Sequence, residues 1–282
     1  MLLPVYEAVP ELLRQAIASV VAQTIGDWEL LVVEDASEHS ASDVLMEFSD
    51  PRIRHVKNSA RTSFAAQLNR GLAEARAEWV ARMDADDICE PHRLETQLAF
   101  LAANDSIDVL GSQLAVIDAA GRDIGFRRYP EPHDEIVAAL KRFCPLAHPA
   151  AIFRRQTILA AGGYDDETDE TVADYDLWCR LAKQGTRFAN HREALLKYRI
   201  HSGSTKSAKL RQMLRGTLDV KRRHWNGTFD AWSRLRLPAE QAMLCVPPCL
   251  VLWLFRVTHL RSSLPPSFET NSSSGDAPKS LR

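Results

Sequence analysis

Trp79-Val80-Ala81-Arg82-Met83-Asp84-Ala85-Asp86-Asp87 is a short apolar run that ends in three carboxylates. Its β-prone first part predicts a buried strand over 78–83, with the acids just beyond the strand's carboxyl end. In open α/β sheets that rim is where ligands bind. Asp84 and Asp86, two apart on extended backbone, project to one side, and so many acids at one spot call for a cation. Hard carboxylate oxygens suit a divalent ion that keeps positions open for phosphate oxygens. The competing reading is a solvated turn, since Asp favours turns without any metal. The rest of the chain decides between the two.

Toward the amino terminus, residues 1–6 read as the carboxyl end of an opening strand. Pro10 to Gln23 then places Leu12, Leu13, Ala16, Ile17, Val20 and Val21 at helical spacing. Trp28 to Val33 is a continuous apolar strand of the kind covered on both faces, and it too ends in acids, Glu34-Asp35. A helix through Val44 and Phe48, a strand at Ile53–Val56 and a helix from Ala65 to Ala75 complete a β-α-β-α-β-α-β order. That order predicts a doubly wound α/β fold with a mostly parallel sheet.

Toward the carboxyl terminus, a helix runs from Pro91 to near Asn104, and two strands, Val109–Gln113 and Leu114–Asp118, precede a turn at Gly121. A small antiparallel part is expected there. His133–Phe143 reads as a helix, 144–149 as a Pro-bracketed loop and Ala150–Phe153 as a strand. Gly162-Gly163-Tyr164 is a turn, and an acid-rich loop from Asp165 to Asp174 opens a helix at Tyr175–Lys183. Leu195–His201 is a last strand, and C-terminal helices begin with a basic one from Arg211 to His224.

The 282 residues, 45% of them hydrophobic, suffice for one large domain and an appendage, and exclude a disordered or fibrous protein. Charge is unevenly spread: residues 1–205 carry 22 Lys and Arg against 32 Asp and Glu, and residues 206–282 carry 13 against 5. The basic end suits an anionic surface, and no nucleic-acid partner is expected. Cys89, Cys144, Cys179, Cys245 and Cys249 are odd in number and lack zinc-type spacing, which points to reduced thiols in a cytoplasmic protein; no leader is visible at Met1. The apolar run 242–255, interrupted by Pro247-Pro248, is too short to span a bilayer. Peripheral contact with the inner face of the cytoplasmic membrane is the favoured reading of the run, with a core-capping helix or a dimer contact as alternatives. The boundaries expected are 1–203 for the main domain, 204–262 for the basic helix and apolar segment, and 263–282 for a disordered tail.

Several blocks recur in one order: Pro4-Val5-Tyr6, Gln23-Thr24, Val33-Glu34-Asp35-Ala36-Ser37, Leu68-Asn69-Arg70-Gly71, the acid stretch itself, His148-Pro149, Gly162-Gly163-Tyr164-Asp165, Asp174-Tyr175-Asp176-Leu177-Trp178 and Tyr198-Arg199-Ile200-His201. In order and spacing they resemble the family 2 glycosyltransferases of GT-A fold, sugar-nucleotide-dependent enzymes of bacterial cell-surface polysaccharides. The likeness spans about residues 2–203, with 1–112 as the nucleotide-binding half and 113–203 as the acceptor-binding half.

The resemblance implies roles. Asp86 holds Mg²⁺ or Mn²⁺ with help from His201, and Asp84 approaches the ribose. Asp35 accepts a hydrogen bond from the imide N–H of the base, which favours a UDP- or dTDP-linked donor, while Pro4, Tyr6 and Arg61 line the nucleotide pocket. Asp174 is the base that takes the proton of an acceptor hydroxyl, since such a hydroxyl is a poor nucleophile until deprotonated. His148 and Trp178 are assigned to the acceptor, a glycan or a lipid-linked sugar. The expected reaction inverts the anomeric centre in one displacement. Two departures stand out: Ala173 where the family has Glu, and Glu7 where Asn is common. Two other classes compete. A sugar-nucleotide nucleotidyltransferase needs a Gly- and basic-rich phosphate loop near the amino terminus, and residues 1–26 hold one Gly and one Arg. A non-catalytic scaffold subunit draws support from Ala173 and the short opening strand.

Overall fold

The computed structural model describes residues 1–38, 40–200 and 209–227, and beyond these 238, 240–242, 244 and 246. His201, most of the apolar run 242–255 and the tail 263–282 lie outside the described residues. Among the described residues no helix is long and apolar enough to cross a membrane.

The first half alternates strand and helix: β1 (Leu2–Val5), α1 (Pro10–Val21), β2 (Leu30–Glu34), α2 (Ser42–Met46), β3 (Ile53–Lys57), α3 (Phe64–Glu74) and β4 (Trp79–Ala81). β1, β2 and β3 pair in parallel, with Leu2 opposite Leu31 and Leu30 opposite Ile53. Leu30 and Val32 enter one hydrophobic cluster, with Leu13 and Ile17 of α1; Leu31 and Val33 enter the other, with Leu68 and Leu72 of α3. That two-sided burial is why an unbroken apolar run, and not an alternating one, makes this strand. Burial of each such Leu contributes about 1.5–3 kcal/mol. Among the described residues, β1 meets the acid-bearing segment through one parallel bridge, Leu2 to Arg82, and an N–H···O bond from Met83 to Leu2 (3.1 Å).

The second sheet is mixed. It contains β4, β5 (Ile88–Cys89), β6 (Val109–Ile117), β7 (Asp123–Arg127), β8 (Ile152–Arg154) and β9 (Phe188–Arg199), in the order β4-β8-β6-β9-β5 with β7 on β6. The helices are α4 (Arg93–Ala103), α5 (His133–Leu140), α6 (Arg155–Ala160), α7 (Ala173–Lys183) and α8 (Leu210–Trp225). β4 runs antiparallel to β8, whereas β6 and β9 are parallel.

Three expectations are corrected here. The two strands proposed between 109 and 118 are one, β6; the division at Gln113 marks instead a shift in register against β9. Gln113 is buried and gives its side-chain amide to Tyr129 O and His191 O (both 3.3 Å), so a polar residue is accommodated without a turn. The last strand starts at Phe188, seven residues earlier than expected, because His191-Arg192-Glu193 lies within the strand and interrupts its apolar pattern. α6 and β7 were not anticipated: α6 is one short turn and a half, and β7 has a single buried residue, Phe126.

Candidate active site

Asp84, Asp86 and Asp87 follow β4 at the rim, and each offers a carboxylate oxygen within 4.8 Å of the others. Arg82, buried beneath them, forms an ion pair with Asp84. Burial works against its charge, and the adjoining Asp84 carboxylate outweighs that, so the guanidinium stays charged. Asp87 is fully buried: its Oδ1 accepts the backbone N–H of Arg199 (2.9 Å), and its Oδ2 has no hydrogen-bond partner. Burial and then the neighbouring Asp84 and Asp86 charges push its carboxyl well above the ordinary range. Crowded carboxylates with an orphaned buried oxygen fit a divalent cation, whose charge would reverse that shift.

Arg199, at the end of β9, pins this turn. Its Nε donates to Asp86 O (2.7 Å) and its guanidinium reaches Gln15 of α1 (2.8 Å). Arg82, Asp87 and Arg199 were given no role from the sequence, although all three sit inside the blocks that carry the resemblance. Nothing in the pattern distinguishes a buried arginine from a solvated one.

The nucleotide-side residues converge at the ends of β1 and β2. Asp35 is buried; it accepts the backbone N–H (2.9 Å) and hydroxyl (2.8 Å) of Thr62 and also a bond from Asn58. Tyr6 is 38% exposed, and the Arg61 guanidinium lies 4.3 Å from its ring centre. Pro4 is buried in β1 opposite Val33. Glu7 adopts φ 46°, the left-handed region that Asn tolerates better than Glu, which gives a physical reason for Asn being common there.

Asp174 lies in the first turn of α7, which begins at Ala173 after a 3₁₀ turn at Glu170–Val172, two residues before the start read from the sequence. Its Oδ1 accepts the N–H of Tyr175 (2.8 Å), and Oδ2 lies 3.7 Å from the Cys144 thiol. Burial, then the Asp174 charge, pushes that thiol well above its ordinary value, so it stays protonated. Ala173 packs in the core at the place where the family carries Glu.

Two groups link this carboxylate to the acid turn. Tyr164 feels the charges of both Arg82 and Asp174. Arg127 of β7 acts on Tyr198, which senses all three acids, and on Tyr129 and Cys144, which sense Asp174.

His148 and Trp178 do not stand where an acceptor could touch them. Trp178 is 0% exposed, packed on Phe153 and His148. His148 is buried, with Nε2 2.8 Å from the Tyr164 hydroxyl. Their assignment to the acceptor is corrected: apolar packing on the back of α7 claims both, and they brace the wall of the site. Asp169 and Glu170 are engaged locally, Asp169 capping its own turn and Glu170 paired with Lys209.

The glycosyl transferase family 2 model matches residues 1–163. An uncharacterized glycosyltransferase of Haemophilus influenzae is 32% identical over 197 residues, 69% of this chain and 72% of that protein. The O-antigen biosynthesis glycosyltransferase WbnJ of Escherichia coli is 31% identical over 201 residues, 69% and 77% of the two chains. Among solved structures, the mannosyltransferase PcManGT of Pyrobaculum calidifontis, in complex with GDP-Man and Mn²⁺, superposes with TM-score 0.61 at 16% identity, covering 94% of this chain and 75% of that one. That likeness shows the GT-A fold. The matched residues contain β1 through β8 and the whole acid turn, and with the two relatives they establish that the chain belongs to glycosyl transferase family 2.

Proposed function

We propose that the protein transfers a sugar from a nucleotide donor to a hydroxyl of a glycan or lipid-linked acceptor, with inversion, in the building of a cell-surface polysaccharide. One observation carries the reading: Asp84, Asp86 and Asp87 bring carboxylate oxygens within 4.8 Å of one another just beyond β4, around a buried Asp87 oxygen that has no hydrogen-bond partner among the described residues. Asp35, Tyr6, Arg61 and Asp84 bind the nucleoside, and residues 1–112 form that half of the domain. Asp86 and Asp84 hold the divalent ion, and His201 is proposed as a further ligand. Mg²⁺ or Mn²⁺ bound there supplies Lewis-acid relief of the charge gathering on the departing diphosphate.

Asp174 takes the acceptor proton as the new bond forms, at the mouth of the 113–203 half. Its carboxylate is aimed by the Tyr175 N–H and kept from a wholly dry setting by the polar Cys144 thiol. Support for the pathway comes from WbnJ, named for O-antigen biosynthesis, and from AmsE of Erwinia amylovora, named for amylovoran biosynthesis. Support for a nucleotide-sugar donor comes from neighbours solved with UDP-GlcNAc and with GDP-Man. Peripheral membrane attachment through the basic C-terminal part completes the proposal.

The test is a panel of UDP-, dTDP- and GDP-sugars with Mn²⁺. Wild type should release the nucleoside diphosphate. Asp86→Ala should lose metal-dependent nucleotide binding, and Asp174→Asn should keep binding but lose turnover by about two orders of magnitude or more. Ala173 favours a second reading, a nucleotide-sugar-binding scaffold subunit. Binding without turnover in both wild type and Asp174→Asn would establish that one instead.

A further inference from the structure

Asp176 is two residues beyond Asp174 and faces the other way on α7. It is 1% exposed yet accepts three bonds, two from guanidinium groups and one from an imidazole: Arg180 Nε (2.8 Å), Arg223 (3.3 Å) and His224 Nε2 (2.7 Å). Burial opposes its charge, and the bonds from His224 and Arg180 overcome that and hold the carboxyl below its ordinary value. Two of the three donors come from α8, 47 and 48 residues away in the chain.

The two arginines reach further. Arg180 spends its other N–H groups on Ala161 O (2.7 Å) and Gly163 O (2.6 Å), the turn that sets Tyr164 beside the site. Arg223 also bonds Thr168 Oγ1 (2.9 Å), within the loop that leads to α7. Two turns earlier on α8, Gly216 lies so close to the loop that a Cβ there would stand 2.8 Å from Cγ2 of Val172, the residue at the start of α7. A helix that merely covered the core would need apolar contact alone. A buried carboxylate left without its partners is costly, so such a knot fixes one arrangement of the groups it joins.

We propose that α8 is a positioning element for the base: the Asp176–His224–Arg223 knot and the close fit of Gly216 on Val172 set the first turn of α7, and with it the aim of Asp174. This rests on Asp174 being the base. Asp176, His224 and Gly216 touch no substrate and act through that residue.

The experiment uses full-length protein with Mn²⁺ and whichever of UDP-GlcNAc and GDP-mannose the wild type hydrolyses faster. It reads kcat, KM, affinity for UDP or GDP, and the melting temperature. Gly216→Ala adds a methyl where helix propensity favours Ala over Gly, which offsets the tighter contact and keeps the melting temperature near that of wild type. It should lower kcat about 10- to 100-fold, the penalty for small misplacement of a reacting group, with nucleotide affinity within about twofold. His224→Ala should lower kcat likewise, and His224→Gln, whose amide still donates to Asp176, should recover much of the loss. Wild-type kcat in both Gly216→Ala and His224→Ala would overturn the proposal, as would parallel losses of kcat and nucleotide affinity. Asp174→Asn in the same assay separates the two levels. If it abolishes turnover while Gly216→Ala does not lower it, only the positioning role fails; if it turns over as wild type, the base assignment fails and takes this inference with it.

Discussion

A neutral imidazole sits behind the site. Burial holds His148 well below its ordinary 6.5, with the Arg82 guanidinium adding to the shift. Below about 6.5 the unfolded chain takes up a proton that the folded protein refuses, so stability is full above that pH and falls as pH drops toward the folded value. The slope contributed is up to about 1.4 kcal/mol per pH unit. Urea unfolding between pH 7 and 5 should show it, and His148→Gln, which keeps a partner for Tyr164, should flatten it; an unchanged slope in the variant would remove His148 as the cause. Glu7 is strained in the opposite sense, by backbone and not by charge. Glu7→Asn at φ 46° should stabilise by about 0.5–1 kcal/mol, read as a higher urea midpoint at unchanged cooperativity, and a lower midpoint would show that Glu7 makes a compensating contact. At this scale the sequence was legible where chemistry singles residues out, as with the three acids in four positions. It was silent where a side chain's worth lies in its neighbours: Asp176 reads as a helix-start carboxylate until His224 is placed on it.

Elements were legible in proportion to how plainly burial writes itself in the pattern. β2 lies between two cores and is apolar from Leu30 to Val33, and α3 shows Leu68 and Leu72 on its inner face. β9 hides because its middle is polar, and the register shift between it and β6 falls at Gln113, where the sequence suggests two strands. α8 was recognised as basic, but its buried face includes Gly216 and Lys221, the latter paired with Glu240 (2.6 Å), and neither residue type advertises an interior. The fit of α3 on β1 is equally specific. A Cβ on Gly71 would collide with Leu2, which is fully buried, so Gly71→Ala should cost about 1–3 kcal/mol despite Ala being the better helix former. Thermal melts decide it, and a raised melting point would mean that Leu2 turns aside freely.

Over the whole molecule, charge divides as sharply as structure. The acidic portion folds around the site, and the exposed Arg211, Arg215 and Arg222 of α8 lead toward the apolar run that begins at Ala242. A chain ended after Ala242 keeps Glu240 for Lys221. It should retain nucleotide-sugar hydrolysis while losing co-sedimentation with phosphatidylglycerol vesicles, and equal sedimentation of both forms would assign the apolar run to packing or pairing of chains. The seam between the two sheets has a mechanical consequence. Three parallel strands on one side and the mixed sheet on the other are stitched, among the described residues, at Leu2 and Arg82 with one more backbone bond at Met83. The same seam is sealed by apolar packing: Leu3 and Val5 of β1 and Leu30 and Val32 of β2 share a cluster with Ala81, Leu110, Ile152 and Leu196 of the other sheet. Met83 is followed directly by Asp84, so the packing that fixes the seam also fixes where the acid turn begins.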